Sequence, residues 1–281
     1  MEQRAGAQIA PPASDREDAD YELILNKALR LFGIDLASYR PDQLRRRLRS
    51  MAHRSSAGDL RQYAQLLDDD PAEREAFVHR FAINVSEFFR DPEQFDYLER
   101  TILPALLSHG RRAHVWSAGC SAGHEAYSLA VLLAERGDGL AHRILATDID
   151  NVALSRARSG GPYSEKDVRN VSSARRQRHL HRDEQGRWWV NDHARRMITY
   201  NRHDLFKDPA PIGIDLIACR NVLIYFTVDA RYEICRALAE ALRPGGVLFL
   251  GATESLADRE IPGLTPLHYG FYRRNESGAH R

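Results

Sequence analysis

The stretch "VWSAGCSAGHEAYSLAVLLAE", Val115 to Glu135, decides the fold: a hydrophobic tripeptide runs through small residues and two glycines into an apolar segment of helical length. Strand, glycine turn and helix in that order open an α/β sheet whose ligands sit beyond the carboxyl ends of the strands. Gly119 and Gly123 occupy that place. Their spacing is G-x-x-x-G, not the G-x-G-x-x-G of a dinucleotide fingerprint, and no lysine follows at the phosphate-loop position. A pyrophosphate ligand is therefore disfavoured.

Towards the C-terminus, short apolar runs alternate with helical segments. "AHVWSAG", "RILATDID", "DLIACRNVL" and "GGVLFLGA" read as strands, and "EAYSLAVLLAE", "NVALSRARSG" and "DARYEICRALAEALRP" as helices. This alternation predicts an α/β domain with a mostly parallel sheet over residues 113–275. One region departs from it. "HLHRDEQGRWWVNDHARRMITYN", residues 179–201, has a turn at Glu184 to Gly186, two adjacent tryptophans and a β-like run ending at Tyr200. It reads as an inserted β-hairpin, the alternative being an ordinary edge of the sheet.

Towards the N-terminus, Asp91 to Gly110 reads as a connecting helix with Pro92 in its first turn, which makes 91–112 a linker. Residues 20–90 carry only helical signals, with Leu44, Leu48 and Met51 at helical spacing, and predict a small all-helical domain. Within it, "GIDLASYRPDQLRRRLRSMAHR" holds a loop, Ser38 as a candidate helix cap, and Arg45, Arg46, Arg47, Arg49 and Arg54 around an apolar stripe. Such a basic helix is either a solvated face or a docking surface. Residues 1–19 and 276–281 are expected to be a disordered leader and a flexible tail.

The 281 residues, 43% of them hydrophobic, can bury a full core or two. A formal net charge of +1 provides no global field to recruit nucleic acid or membrane. No run reaches the roughly 18 apolar residues of a membrane span, and the first residues lack a signal-type apolar region, so a cytoplasmic protein is expected. Cys120, Cys219 and Cys235 are too few and too scattered for a disulfide framework or a zinc site, and read as small buried residues. No metal is expected.

Two carboxylates describe the ligand. Asp148 in "ATDID" ends the next predicted strand, where an acid can accept hydrogen bonds from ribose hydroxyls. Glu125 opens the helix after the turn, where the helix dipole favours an anion and a cationic ligand would be attracted. An adenosine with a positive centre and no pyrophosphate describes S-adenosylmethionine; the alternatives are another nucleoside-type ligand or, for Asp148 alone, an ordinary cap or loop residue.

The motifs "NVSEFFRDPEQF" (84–95), "VWSAGCSAGHEAYS" (115–128), "ATDID" (146–150), "CRNVLIYF" (219–226) and "LRPGGVLFLGATESL" (242–256) resemble those of the CheR-type chemotaxis receptor methyltransferases. The basic helical segment resembles that family's N-terminal domain. The resemblance covers about residues 20–273. It implies a class I S-adenosylmethionine-dependent methyltransferase fold with a helical N-terminal domain and a β-subdomain. The implied activity is methylation of glutamate side chains on chemoreceptors, giving glutamyl methyl esters and S-adenosylhomocysteine. Carried over by motif, Asn84, Ser86, Arg90, Gly119, Glu125, Asp148, Asp204 with Leu205, and Arg220 with Asn221 would contact the cofactor. Arg90 and Tyr225 would flank the methyl-transfer centre.

The resemblance makes Arg45, Arg46, Arg49 and Arg54 a docking surface for the cytoplasmic helical domain of chemoreceptors. It raises a receptor C-terminal peptide as a second contact at the β-subdomain, although the loop "HRDEQGRWW" is short and points to a protein that does not need that tether. A monomer is expected. His124 and Ala126 stand where the family often has Glu and Pro, and Ser86 where threonine is common. The alternative reading is a non-catalytic signalling module that binds S-adenosylmethionine or a nucleotide on the same fold; a third is methylation of RNA or a small acid.

Overall fold

Four helices, α1 (Ala13–Phe32), α2 (Pro41–Arg54), α3 (Leu60–Asp69) and α4 (Pro71–Phe81), follow from amphipathic spacing and well-placed starts. Asp59 caps α3 by accepting the Gln62 amide at 2.8 Å, and α2 begins on Pro41, whose fixed φ suits a first turn. They belong to a computed structural model that describes residues 13–82, 86–108, 110–256 and 259–276. Its chain divides into two units, one ending at Phe81 and the other beginning at Ala82.

In the first unit the predicted stripe is buried, with Leu44, Leu48 and Met51 at 4% exposure or less. Phe32, Phe77 and Phe81 stack in succession across the helices. Two expectations change. Ser38 caps nothing: it lies in a 3₁₀ turn, Leu36–Ser38, whose cap is Asp35 accepting the Ala37 amide at 3.0 Å. The leader becomes helical from Ala13, because α1 begins there; residues 1–12 of it, and 277–281 of the tail, lie outside the described residues.

The second unit opens with α5 (Pro92–Tyr97), a π-helical turn (Leu98–Ile102) and α6 (Leu103–Leu106). Then come β1 (His114–Ala118), α7 (His124–Glu135), β2 (Arg143–Asp148), α8 (Asn151–Ser159), α9 (Ser173–His179), β3 (Leu180–Arg182), β4 (Trp188–Val190), α10 (Asp192–Arg195), β5 (Ile198–Arg202), β6 (Ile214–Cys219), α11 (Val228–Ala241), β7 (Leu242–Leu250), β8 (Leu264–His268) and β9 (Phe271–Arg274). Seven strands form one sheet in the order β5-β2-β1-β6-β7-β9-β8, in which β9 alone runs antiparallel to the others. All six residues of β6 are buried, as a central parallel strand covered on both faces requires. Its acidic member Asp215 is satisfied by Arg111, by Arg243 and by the His114 amide at 2.8 Å.

The N-terminal boundary differs from the expected 90. Phe88 and Phe89, 1% and 3% exposed, sit in the second unit's core, Phe88 5.0 Å from the Tyr163 ring, so the division falls after Phe81. The inserted hairpin is real but shorter than 179–201. It consists of β3 and β4, while the run ending at Tyr200 is β5, which pairs in parallel with β2 from Ile144↔Ile198 to Asp148↔Arg202. Tyr200 buries its ring 6.0 Å from Tyr127 of α7, which commits that strand to the main sheet. Both indoles of the hairpin are satisfied, Trp188 on Glu165 and Trp189 on Asp183, each at 2.9 Å. All three cysteines are buried.

The helical unit holds a buried polar network around Glu73. The Tyr63 hydroxyl donates to Glu73 at 2.9 Å, and Arg80 donates to both Glu73 oxygens. Tyr63→Phe is expected to cost about 1.5–3 kcal/mol, the range for a hydrogen bond to a charged group. Urea unfolding followed by circular dichroism would measure it.

Candidate active site

From β1 the chain moves to β2 and out to β5, then returns to the other side of β1 as β6. The crevice beyond the carboxyl ends of β1 and β6 is therefore the topological switch point, where open α/β sheets bind their ligands. Two loops meet there at close range. Gly119 follows β1 with φ +82, and a Cβ at that position would lie 2.5 Å from Cγ2 of Val222, which follows β6. The Gly119 and Cys120 amides both donate to the Thr147 carbonyl, at 2.8 and 2.9 Å, which draws the turn against the end of β2. Gly123, at φ +88, caps α7 without a side chain.

The predicted acids stand around this turn. Glu125, 9% exposed, accepts the Ser117 hydroxyl at 2.7 Å and lies 3.8 Å from Nη1 of Arg220. Burial raises its pKa, against the pull of Arg220 and Ser117; desolvation therefore outweighs the helix-dipole effect expected from sequence. A buried carboxylate of this kind is suited to a cationic ligand, whose charge would offset the cost of burial. Asp148 ends β2 and is only half-buried. Its Oδ2 accepts the Ser121 amide at 2.7 Å and its Oδ1 the Asp150 amide at 2.9 Å, which leaves lone pairs on both oxygens for ribose hydroxyls. Asp204, beyond β5, is buried and caps its own turn by accepting the Phe206 amide at 2.9 Å, while Leu205 beside it is half-buried.

Arg220 is the hub. Only 6% exposed, it donates from Nη2 to the Arg90 carbonyl at 2.8 Å, Asp91 at 2.8 Å and Gln94 at 2.9 Å, and lies over the rings of Phe249 and Phe95 at 4.6 and 5.1 Å. Burial lowers its pKa, opposed by Glu125 and Asp91. The half-buried Arg90 acts electrostatically on both members of that pair, lowering the pKa of Glu125 and of Arg220, so its guanidinium belongs to the same cluster. The flanking residues Phe89 and Asp91 have φ of +50 and +59, a left-handed conformation that other contacts must sustain.

A profile described as the CheR methyltransferase SAM-binding domain matches residues 84–263, and one described as the CheR all-alpha domain matches residues 19–82. The chain belongs to the CheR methyltransferase family. The "Chemotaxis protein methyltransferase" of Listeria monocytogenes is 38% identical over 91% of this chain and 97% of its own length. The protein of the same name from Listeria innocua is 35% identical over 91% and 97%. "Chemotaxis protein methyltransferase 1" of Pseudomonas aeruginosa is 32% identical over 85% and 91%.

The cofactor of this CheR-family enzyme is S-adenosylmethionine, and the site fits it: a tight glycine turn after β1, a half-exposed acid at the end of β2, and a buried acid suited to a cation. Gly119, Glu125, Asp148, Asp204, Arg220 and Asn221 are all placed at the carboxyl ends of β1, β2, β5 and β6 or on the helix that follows β1. Ser86 is described as half-buried. Asn84 lies outside the described residues. Tyr225 ends a 3₁₀ turn, Leu223–Tyr225, after β6 and is half-buried.

Sequence reasoning missed the residue that holds this last loop. Glu254, 5% exposed, accepts the amides of Asn221 at 2.6 Å, Leu223 at 2.7 Å, Gly251 at 2.8 Å and Ile224 at 3.3 Å. The signal was a lone carboxylate in the quoted "GATESL", which follows an apolar strand. Glu254→Ala strips these amides of their acceptor, at about 1–3 kcal/mol for each group left unsatisfied. The expected result is at least a tenfold rise in the dissociation constant of S-adenosylhomocysteine by calorimetry, with a lowered melting temperature.

Proposed function

We propose that this enzyme methylates glutamate side-chain carboxylates of chemoreceptors, giving glutamyl methyl esters and S-adenosylhomocysteine. The observation that carries the reading is Arg90, held in a strained turn beside the Glu125–Arg220 pair at the carboxyl edge of the sheet. The names of the chemotaxis relatives support the same substrate class.

Bound S-adenosylmethionine supplies an electrophilic methyl group on a sulfonium. A glutamate acceptor, with a reference pKa near 4.3, is already ionised at pH 7, so the protein has no proton to remove. Its task is alignment and desolvation. In this reading Asp148 accepts the ribose hydroxyls and Glu125 faces the cationic end of the cofactor. Ser86, Asp204, Leu205, Arg220 and Asn221 complete the cofactor's surroundings, Arg220 chiefly by fixing the backbone at Arg90. Arg90 presents a planar fork of donors matched to the acceptor carboxylate, and Tyr225 adds a second polar contact. Held in this way, an acceptor oxygen would face the methyl group that the bound cofactor would supply.

The test is transfer of labelled methyl to membranes containing chemoreceptors, followed by mild alkali. Release as volatile methanol identifies a carboxyl ester. Cofactor binding without transfer would favour a non-catalytic module. Arg90→Ala should lower kcat at least a hundredfold, the scale of losing one charge-stabilising donor, with little change in calorimetric affinity for S-adenosylhomocysteine.

The receptor-docking reading of α2 is refined by the ion pairs there. Arg45 pairs with Asp18 at 2.7 Å and lies 4.0 Å over the Tyr21 ring, while Arg49 pairs with Glu17. Arg46 and Arg54 are exposed and have no partner among the described residues. We therefore assign the docking charge to these two. Reversing both to glutamate should raise the receptor KM, increasingly so at low salt, and leave cofactor affinity unchanged.

A further inference from the structure

We propose that Arg175 is a positioning residue for methyl transfer, holding Arg90 in place through the ring of Phe89. The proposal rests on the reading that Arg90 faces the acceptor carboxylate, and names the device that keeps it there.

The turn before α5 is costly to hold. Phe89 has φ +50 although it carries a side chain, and a conformation of that kind persists only when its surroundings over-determine it. Those surroundings come from segments far away in sequence. The Phe89 amide donates to the Ser128 hydroxyl of α7 at 2.9 Å, and its carbonyl accepts from Nδ2 of Asn170 at 3.4 Å. The Phe88 amide donates to the Asp167 carbonyl at 2.9 Å. These bonds fix the backbone of the two phenylalanines.

The Phe89 ring is held separately, by a guanidinium that reaches in from α9. Cζ of Arg175 lies 4.9 Å from the centre of that ring, on which Phe95 packs edge-on at 5.3 Å. A cation over an aromatic face is attracted to it most strongly where water is excluded, and Arg175 is largely buried, its side chain 20% exposed. Two carboxylates lock its orientation. Nε donates to Glu135 at 2.9 Å, at the end of α7, and Nη2 donates to Glu99 at 2.7 Å, in the π-helical turn. Glu135 also binds His179 of the same helix at 3.2 Å, so α9 is fastened at two points.

This arrangement exceeds what stability of α9 requires. An ion pair to Glu135 alone would dock the helix, whereas the fork of Arg175 joins α7, the π turn and the Phe89 ring at one point. Arg90 follows that ring directly, and its own carbonyl is pinned from the opposite side by Arg220. Freeing the ring removes one of the contacts that over-determine the left-handed turn, which loosens the Arg90 guanidinium beside it. Methyl transfer depends on alignment, and misplacement by about 1 Å can cost a hundredfold in rate.

The test compares Arg175→Gln, Arg90→Ala and the double variant by initial rates of methyl transfer, with calorimetry for S-adenosylhomocysteine. Arg175→Gln is expected to lower kcat about ten- to a hundredfold while receptor KM and cofactor affinity stay within about threefold. In the Arg90→Ala background the same change should cost nothing further. An additional loss there, or an unchanged kcat in Arg175→Gln, overturns the proposal. Wild-type turnover in Arg90→Ala would overturn the underlying reading instead, and the proposal with it. Because Arg175→Gln leaves two acids without a cation, a companion variant adding Glu99→Gln and Glu135→Gln guards against misfolding. It should melt like the wild type and keep the low kcat, and full recovery of turnover in it would overturn the role of the ring contact.

Discussion

The buried guanidinium of Arg220 is the contact on which the candidate site depends. A charge this deep is tolerable only when each of its neighbours answers it, and losing a partner leaves an uncompensated charge worth several kcal/mol. The neighbours come from four places: the Arg90 carbonyl and Asp91 in the turn, Gln94 in α5, Glu125 in α7, and the rings of Phe95 and Phe249. One planar group thus binds the segment before the sheet to the helix after its first strand. It also lowers the pKa of Glu125, against the larger upward push of burial.

Strain is distributed in the same pattern. Among the described residues, the non-glycine positions with positive φ are Phe89, Asp91, Ser121 and Asn221, and every one lies in a loop of the candidate site. Each is held by a side chain from elsewhere: Ser128 and Arg220 for the first two, Asp148 for Ser121, Glu254 for Asn221. Folding free energy from the apolar sheet sustains conformations that the local sequence would not adopt alone, as is common where ligand groups must be positioned in advance.

Much of this was legible beforehand and some was not, for physical reasons. The alternation of buried strands and amphipathic helices is a short-range signal, so the parallel sheet, α7 and the acids at strand ends could be read directly. The motif at 219–226 singled out Arg220 and Asn221 but said nothing of their partners, because Gln94 and Glu254 lie far away in sequence and act through side-chain geometry. The run ending at Tyr200 shows the limit of pattern reading: alternation identifies a strand, whereas its choice between the hairpin and the sheet edge is a tertiary decision made by the packing of Tyr200 on Tyr127. Ser38 failed as a cap because Pro41 starts the helix further on, which puts Arg40 at the cap position.

The contact between Gly119 and Val222 has a consequence for how such a site can change over generations. The two residues sit in separate signature segments, yet they occupy a single volume, since any side chain at 119 would enter the space filled by the valine. Shortening the valine does not by itself open position 119, because its φ of +82 strains any residue with a side chain whatever the space around it. Backbone and neighbour close the same step independently, so divergence in this crevice has to enter elsewhere than at its first glycine.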